Sequence, residues 1–291
     1  MPTVSLIMPT YQRDFIIGLA IESIVHQREH GCDLELIIGD DGDDRTEEVV
    51  QAIHNPHPRL TIHYLRMPRI PLSDKRNQLV RHSTGTYFGV VDSDDIQSPY
   101  KIAAFEKALE AHPEANIFGQ REFLYHDIID GRTVRWTQNR ALESFKAGSF
   151  MILCRDFWER SGGYPPGLWR GVDSAFAATV DSSHRRLCDL GEMDPRLLDT
   201  TIALQHISNI WRRKAKGLKS GATQQLANYV ATPVAMNERH ALGPNLESFI
   251  QHQETIRSLR NPGLGDSLRR LAQRLSSRLN RIARPPGSFK G

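Results

Sequence analysis

The sequence predicts an α/β protein with a mostly parallel sheet flanked by helices and followed by a helical C-terminal extension. Over the first 120 residues, short β-branched runs alternate with amphipathic segments, which is the order of a parallel sheet covered on both faces. The early strand candidates are continuously apolar, as buried parallel strands are. The chain has 291 residues, 39% of them hydrophobic and 24% charged, so it can form a large core.

The elements of the first half follow from hydrophobic periodicity and from residues that start helices. Strands are predicted where β-branched and aromatic residues run together, at residues 4–8, 34–39, 60–65 and 87–91. Helices are predicted from apolar stripes at helical spacing, at residues 15–27, 45–53, 73–82 and 99–111. We expect Ser73 to be the N-cap of the third helix, and Ser98 with Pro99 to start the fourth.

The second half is less regular and predicts α+β structure. Short strands are expected at residues 116–118, 121–125, 133–136 and 149–154. Helices are expected at residues 155–161, 173–180 and, as a mostly helical segment, 244–282. We therefore place one domain at residues 1–211, divided near residue 115, and a mainly helical extension at residues 212–291.

Composition excludes several classes of protein. No stretch approaches the roughly 18 apolar residues of a membrane span, and the first residues do not form a signal peptide, so a cytoplasmic protein is expected. The three cysteines are scattered, which predicts neither disulfides nor a zinc site. The net charge is +3, but residues 257–291 hold nine basic residues and one acidic residue, leaving −5 for the rest. Nucleic acid is therefore not an expected partner.

Polar and acidic residues follow three of the predicted strands. Residues 9–13 follow the first strand, residues 40–44 the second and residues 92–95 the fourth. Because ligands bind beyond the carboxyl ends of the strands in open parallel sheets, we expect these loops to meet in one site. Within the last loop, Asp92 and Asp94 form a DxD arrangement, whose oxygens suit a hard divalent cation.

Other kinds of site are weaker or excluded. A short acidic triplet is also common in solvated surface turns. An EF-hand is excluded because the loop that starts at Asp92 lacks glycine at its sixth position and has Ile96 where a ligand is needed. The chain also lacks the signatures of dinucleotide-binding, P-loop, zincin and serine-hydrolase sites.

The order of these motifs resembles the GT-A glycosyltransferases of family 2. The similarity lies in residues 4–13, 23–27, 35–42, 75–77, 85–87 and 92–95. It is strong over residues 3–110, looser as far as residue 211 and absent from the tail. The resemblance implies a Rossmann-like GT-A fold, inversion at the transferred sugar and a nucleotide-sugar donor, with a UDP-sugar expected. The half before residue 115 would bind this donor, and residues 116–211 would bind the acceptor.

The resemblance also implies which residues bind the donor. Around its base, ribose and pyrophosphate it places Pro9, Thr10, Tyr11, Arg13, Asp40, Asp41, Lys75, Arg76, Asp92 and Ser93. The alternatives are a solvated, helix-capping turn for the loop at Asp40 and a solvated helix face for Lys75 and Arg76.

A divalent cofactor, Mn²⁺ or Mg²⁺, is implied as well. Asp94 would hold it with help from Asp92, and His206 would return to the metal or the pyrophosphate as in some relatives. An imidazole ligand would suit manganese better than magnesium. The alternative for His206 is a structural histidine that follows a strand.

The catalytic base is expected in the acceptor half. Gly162-Gly163-Tyr164 and the later Val172-Asp173 resemble the family's GGY segment and its Glu-Asp pair, except that Val172 replaces the glutamate. Asp173 would then take the proton from the acceptor hydroxyl. Two alternatives stay open: Asp173 could merely stabilise the start of its helix, or a neighbouring acid such as Asp181 could be the base.

The implied reaction is metal-dependent transfer of one sugar to a hydroxyl group of a glycan or lipid-linked acceptor. Single transfer is favoured because the QxxRW signature of processive members is absent. The main rival is a catalytically silent sugar-nucleotide-binding or membrane-scaffolding module, since Val172 replaces the glutamate. A sugar-nucleotide pyrophosphorylase is less favoured because it needs a glycine-rich loop after the first strand.

The tail has the pattern of a basic amphipathic helix. Over residues 266–284, apolar residues recur every three or four positions and arginines cover the remaining surface. The apolar stripe consists of Leu268, Leu271, Leu275, Leu279 and Ile282. This helix could pack on the protein itself, bind another polyanion or partner, or contact an anionic membrane at its inner face.

Overall fold

The computed structural model describes residues 2–127, 133–139, 148–205, 224–226 and 229–233. All of them belong to the first of two units, Met1–Gly243. The second unit, Pro244–Gly291, lies outside the described residues, and with it the predicted basic tail and helical segment. His206 also lies outside them.

A seven-stranded sheet forms the centre of the described fold. Its parallel part has the order β3, β2, β1, β4, with β1 at Thr3–Thr10, β2 at Asp33–Asp40, β3 at Leu60–Arg66 and β4 at Tyr87–Val90. It continues through β9 (Ile152–Cys154), β6 (Ile117–Gly119) and β10 (Leu187–Asp189), where β9 is antiparallel to both neighbours. Thr10 lies opposite Asp40 and Ile7 opposite Val90, so β1, β2 and β4 end at one edge.

Helices cover both faces of this sheet, because successive strand residues point to opposite sides. Leu6 and Met8 are buried on the face covered by α1 (Ile17–Val25), α2 (Thr46–Gln51), α4 (Lys101–Ala111), α7 (Leu190–Met193) and α8 (Leu197–Thr200). Ile7 is buried on the face covered by α3 (Leu72–His82), α5 (Arg155–Arg160) and α6 (Val172–Thr179). The predicted α/β class is confirmed.

A second, six-stranded sheet connects to the first through the acidic loop. Its order is β12, β13, β8, β7, β11, β5. The strands are β5 (Asp95–Ile96), β7 (Glu122–Asp127), β8 (Thr133–Gln138), β11 (Ile202–Gln205), β12 (Gln224–Leu226) and β13 (Tyr229–Pro233). Asp95 pairs with Ala203 of β11. The loop that follows β4 is therefore held between the two sheets.

Two predicted helix caps are wrong. The N-cap of α3 is Pro71, and Ser73 lies inside the helix, where its hydroxyl accepts a hydrogen bond from the Leu168 N–H at 2.9 Å. The N-cap of α4 is Tyr100, and the Ser98 hydroxyl accepts from the Tyr100 N–H at 3.2 Å in the turn before the helix. The Ser73 hydroxyl thus bonds a loop that is distant in the chain, and the Ser98 hydroxyl also accepts from the Thr200 hydroxyl at 2.7 Å.

The prediction of a continuous strand at residues 149–154 is also wrong. The chain forms a 3₁₀ turn at Gly148–Phe150 and then the short strand β9. The short elements β5, β10, α7 and α8 had no sequence signal because two to four residues are too few to show a period. No helix among the described residues has the length and apolar character needed to cross a membrane.

Candidate active site

The loops that follow β1, β2 and β4 meet at the carboxyl edge of the first sheet. The Gln12 side-chain amide donates a hydrogen bond to Asp43 at 2.8 Å, which joins the first two loops. Arg13 lies 3.7 Å from the carboxylate of Asp94 and joins the first loop to the third. The structure therefore brings together the three polar strand ends of the sequence.

Three carboxylates of the acidic loop converge. One oxygen each from Asp92, Asp94 and Asp95 lies within 4.8 Å of the others. Desolvation raises the pKa of Asp92 to about 6, and repulsion from Asp94 and Asp173 adds to this shift. Attraction by Arg76 opposes it. Burial and repulsion from Asp94 and Asp92 raise the pKa of Asp95 well above its ordinary value. Carboxylates crowded in this way form a donor set that a hard divalent cation fits.

Asp95 was not among the predicted ligands, although it stands next to Asp94 in the chain. It is buried, and it starts β5 at the point where the chain enters the second sheet. Ser93, a predicted donor contact, is also buried in this loop. Asp95 is held in the cluster by the pairing of β5 with β11.

Arg76 connects the acidic loop to Asp173. Its guanidinium donates to Asp173 at 2.6 Å and to Asp92 at 3.4 Å, and its side chain is only 3% exposed. Burial alone would lower the pKa of Arg76, but the carboxylates of Asp173 and Asp92 raise it above its ordinary value. Arg76 is therefore an interior cation and not part of a solvated helix face.

Asp173 lies in the first turn of α6, where the helix dipole favours a negative charge. Its side chain is 23% exposed, so one part reaches solvent while Arg76 holds the other. Val172, which replaces the family glutamate, is buried in the core. Asp181 lies two residues beyond the other end of α6 and accepts a hydrogen bond from the Ser183 N–H at 2.9 Å.

Lys75 and the Asp40 loop form the neighbouring part of the site. The Lys75 ammonium donates to the Thr10 carbonyl oxygen at 2.9 Å and to the Asp41 carboxylate. Asp40 is buried and accepts from the Gly42 N–H at 2.8 Å and from the Tyr64 hydroxyl at 2.8 Å. Asp40 thus stabilises the turn itself. Pro9 lies opposite Gly39 within β1.

Sequence reasoning missed Arg69 and gave Trp169 no role. The Arg69 guanidinium stacks on the Tyr11 ring, 3.6 Å from its centroid, and lies 4.8 Å from the centroid of Trp169. It also donates to Asp41 at 2.9 Å. Tyr11 and Trp169 are both exposed, so this stack forms the rim of the site. The only sequence signal was a basic residue in the loop before α3.

A model of a known family matches most of this fold. The family described as Glycosyl transferase family 2 matches residues 5–165, which include most of β1, the acidic loop and the Gly162-Gly163-Tyr164 segment. The chain belongs to this family. The prediction of a family 2 glycosyltransferase is therefore confirmed.

Curated relatives of this family 2 glycosyltransferase include two bacterial glucosyltransferases. UDP-Glc:alpha-D-GlcNAc-diphosphoundecaprenol beta-1,3-glucosyltransferase WfgD of Escherichia coli is 25% identical over 154 residues, which are 52% of this chain and 59% of WfgD. GalNAc(5)-diNAcBac-PP-undecaprenol beta-1,3-glucosyltransferase of Campylobacter jejuni is 30% identical over 121 residues, 41% of this chain and 38% of the relative. The chain thus matches between about two fifths and three fifths of their lengths.

Solved structures share the GT-A fold. TarS 1-349 of S. aureus, in complex with UDP-GlcNAc, matches with a TM-score of 0.55 at 16% identity and covers 71% of this chain and 60% of its own. Mannosyltransferase PcManGT from Pyrobaculum calidifontis, in complex with GDP-Man and Mn²⁺, matches with a TM-score of 0.52 at 19% identity, covering 69% and 56%. The predicted GT-A fold is confirmed.

Proposed function

We propose that this chain transfers one sugar from a nucleotide sugar, most simply a UDP-sugar, to a hydroxyl group of a glycan, with inversion. The observation that carries the proposal is that the buried Arg76 bonds both Asp173 and Asp92. This arrangement keeps a carboxylate that can accept a proton beside the acidic loop. A base and a charge-neutralising site must be neighbours when an acceptor attacks a diphosphate-activated sugar.

Asp173 is the general base in this proposal. Arg76 donates a hydrogen bond to one carboxylate oxygen of Asp173 and so orients that carboxylate. The partly exposed side of Asp173 accepts the proton of the incoming hydroxyl as the new glycosidic bond forms. Asp181 is a weaker candidate, because it is engaged in its own turn at the other end of α6.

Asp92, Asp94 and Asp95 would hold Mn²⁺ or Mg²⁺, and His206 is a further proposed ligand. When bound, the cation would supply positive charge for the diphosphate leaving group. The oxygen-rich donor set of the described residues fits either ion. Mn²⁺ in the related mannosyltransferase supports this proposal.

The donor nucleoside would bind between the loops at Thr10 and Asp41. Lys75 joins these two loops, because its ammonium group donates hydrogen bonds to Thr10 and to Asp41. Asp40 stabilises the turn by accepting a hydrogen bond from the Gly42 N–H. Tyr11 and Arg69 would lie against the base, and Arg13 beside Asp94 would face the diphosphate. UDP-GlcNAc in the related TarS structure supports a UDP-sugar.

The acceptor is proposed to be a lipid-linked glycan, as the names of both glucosyltransferase relatives indicate for those proteins. The basic tail at residues 266–284 would bring the enzyme to the anionic membrane that carries such acceptors. Replacing Arg269, Arg270, Arg274 and Arg278 by glutamine should abolish sedimentation of the full chain with phosphatidylglycerol vesicles at low salt. Unchanged sedimentation would contradict this role of the tail.

A screen of nucleotide sugars tests the proposed reaction. UDP-, GDP- and dTDP-sugars are added with and without Mn²⁺ while the melting temperature is followed, since a ligand at about 100 times its Kd stabilises the fold by about 2.7 kcal/mol. We expect one class to raise the melting temperature with Mn²⁺ and to release free sugar slowly. The NMR coupling constant of the anomeric proton then reports inversion.

The same screen separates the rivals. Binding of a nucleotide sugar without release or transfer of sugar, across a panel of glycan acceptors, would favour the silent module. Formation of a nucleotide sugar from a nucleoside triphosphate and a sugar phosphate would favour a pyrophosphorylase. The latter is disfavoured by the loop at residues 9–13, which contains no glycine.

A further inference from the structure

Gly148 packs directly against the carboxylate of Asp173. A Cβ atom added at Gly148 would overlap both oxygens and the carboxyl carbon of Asp173. Gly148 is not one of the glycines with positive φ, so the backbone itself does not require glycine there. The requirement is for space: Asp173 can reach Arg76 in this position only because residue 148 has no side chain.

The next residue of the same turn contacts the acidic loop. The Ser149 hydroxyl accepts a hydrogen bond from the Asp92 N–H at 3.1 Å, and the Asp95 side chain is also hydrogen-bonded to Ser149. In the turn Gly148–Phe150, Gly148 therefore contacts Asp173, and Ser149 contacts the cluster of three carboxylates.

The turn is anchored from behind by buried groups. The Ser149 carbonyl oxygen accepts from Lys101 at 3.3 Å and from the Gln97 side-chain amide at 3.2 Å. Phe150 is 1% exposed and packs on Phe123, with 4.9 Å between the ring centroids. Lys101 and Gln97 are themselves bonded to each other at 2.6 Å. Such a turn has little freedom to yield if a side chain is added at residue 148.

We propose that Gly148 is a positioning residue that sets the place of the Asp173 carboxylate relative to the acidic loop. Because Gly148 has no side chain, it leaves space for the Asp173 carboxylate on one side of the turn. On the other side, Ser149 is hydrogen-bonded to the acidic loop. An added methyl group must push the Asp173 carboxylate away from Arg76 or displace the turn. This inference rests on the proposed role of Asp173 as the base.

Gly148→Ala tests the inference. A base displaced by about 1 Å costs about a hundredfold in turnover, so kcat should fall by that order. Donor binding with Mn²⁺ should remain within about twofold, because the altered group does not contact the donor. Gly18→Ala is the matched control, since an alanine Cβ there meets only Val49 at an ordinary 3.6 Å. Its kcat should equal that of wild type.

A double-mutant cycle with Asp173→Ala gives a readout that does not depend on turnover. If the damage comes from overlap with Asp173, the loss of melting temperature in Gly148→Ala should be largely absent when Asp173 is already alanine. In that background, Gly148→Ala should also cause no further loss of kcat. Equal destabilisation in both backgrounds would overturn the inference, even if Gly148→Ala alone is too unstable to assay.

Failure of this inference can be told from failure of the proposed function. If Asp173→Ala abolishes turnover while Gly148→Ala behaves as wild type, only the positioning role of Gly148 is lost. If Asp173→Ala retains full turnover, the base assignment itself fails. A parallel fall in kcat and in donor affinity in Gly148→Ala would indicate general damage to the site and would also overturn the inference.

Discussion

The pKa values of buried carboxylates are shifted in opposite directions at the two edges of the parallel sheet. At the edge where the strands begin, Glu35 accepts hydrogen bonds from Ser5, from the Thr84 N–H and hydroxyl, and from the Gly85 N–H. Burial alone would raise the pKa of Glu35, but these bonds hold it below its ordinary value. All of these bonds go to Oε1, so the protein's own donors stabilise the charged form of this carboxylate.

At the edge where the strands end, four carboxylates are crowded together. These carboxylates belong to Asp92, Asp94, Asp95 and Asp173. The cations nearest to them are Arg76, Arg13 and Lys101. Lys101 is buried, and burial lowers its pKa to about 7. Burial, with repulsion from Asp94 and Asp173, raises the pKa of Asp92 to about 6 although Arg76 opposes this shift. A carboxylate that the protein's own donors stabilise supports the fold, whereas crowded carboxylates repel one another until a proton or an external cation neutralises part of their charge.

The largest effect is expected for Asp173→Asn, which removes the base but keeps the shape of the side chain. Turnover should fall by about 10² to 10⁴-fold with donor affinity unchanged, as loss of a general base predicts. Steady-state kinetics and donor titration measure the two quantities. Asp181→Asn is the matched control, because its asparagine can still cap the Ser182–His184 turn. Turnover that is retained in the first variant and lost in the second would exchange their roles.

Asp94→Asn should weaken metal binding by the crowded carboxylates. We expect turnover to fall about 10² to 10³-fold, because the cation contributes several kcal/mol of charge stabilisation to the leaving group. Mn²⁺ affinity, measured by electron paramagnetic resonance, should fall as well. Asp43→Asn serves as the control, since Asp43 is an exposed neighbour that bonds only the Gln12 amide in the described contacts. Wild-type turnover in excess EDTA would contradict metal dependence.

Glu35→Gln should affect the opposite edge and change stability instead of turnover. Loss of the ionised acceptor should lower the free energy of unfolding by about 3 kcal/mol at pH 7, while kcat stays near wild type. A carboxylate whose folded pKa is depressed stabilises the fold above its unfolded pKa, near 4.5 for Glu35, and loses this stabilisation as pH falls further.

Urea unfolding from pH 7 to pH 3 measures this dependence. The difference between Glu35→Gln and wild type should shrink below about pH 4.5. Glu47→Gln, at an exposed position of α2, should show almost no difference at any pH. A Glu35→Gln protein with wild-type stability but low turnover would contradict the claim that Glu35 stabilises the fold and has no part in catalysis.

The smallest effect is expected at the exposed rim of the site. Arg69→Ala removes the stack on Tyr11 and the bond to Asp41, which together contribute about 1 kcal/mol at an exposed position. The KM for the donor should rise about fivefold with kcat little changed. Arg45→Ala, at the exposed N-cap position before α2, is the control. A large fall in kcat would place Arg69 with the crowded edge rather than with its rim.

The sequence alone predicted the parallel sheet, its flanking helices and the three polar loops at one edge. It could do so because hydrophobic period and loop composition are properties of consecutive residues, and strand polarity then places the loops. The same local reasoning failed for the caps at Ser73 and Ser98, whose hydroxyls also bond Leu168 and Thr200, residues that only folding brings near them. It also missed β5, which exists only because β11 pairs with it.

Only the tertiary structure decided which charges belong together. Arg76 and Asp173 are 97 positions apart, and no periodicity relates them. The difference between Asp40, which holds a turn, and Asp41, which bonds Lys75 and Arg69, depends on neighbours from β3 and α3. The space that Gly148 leaves for Asp173 exists only in the folded packing. Burial pattern is encoded locally, whereas charge pairing and steric fit depend on distances that the chain acquires only when its elements pack.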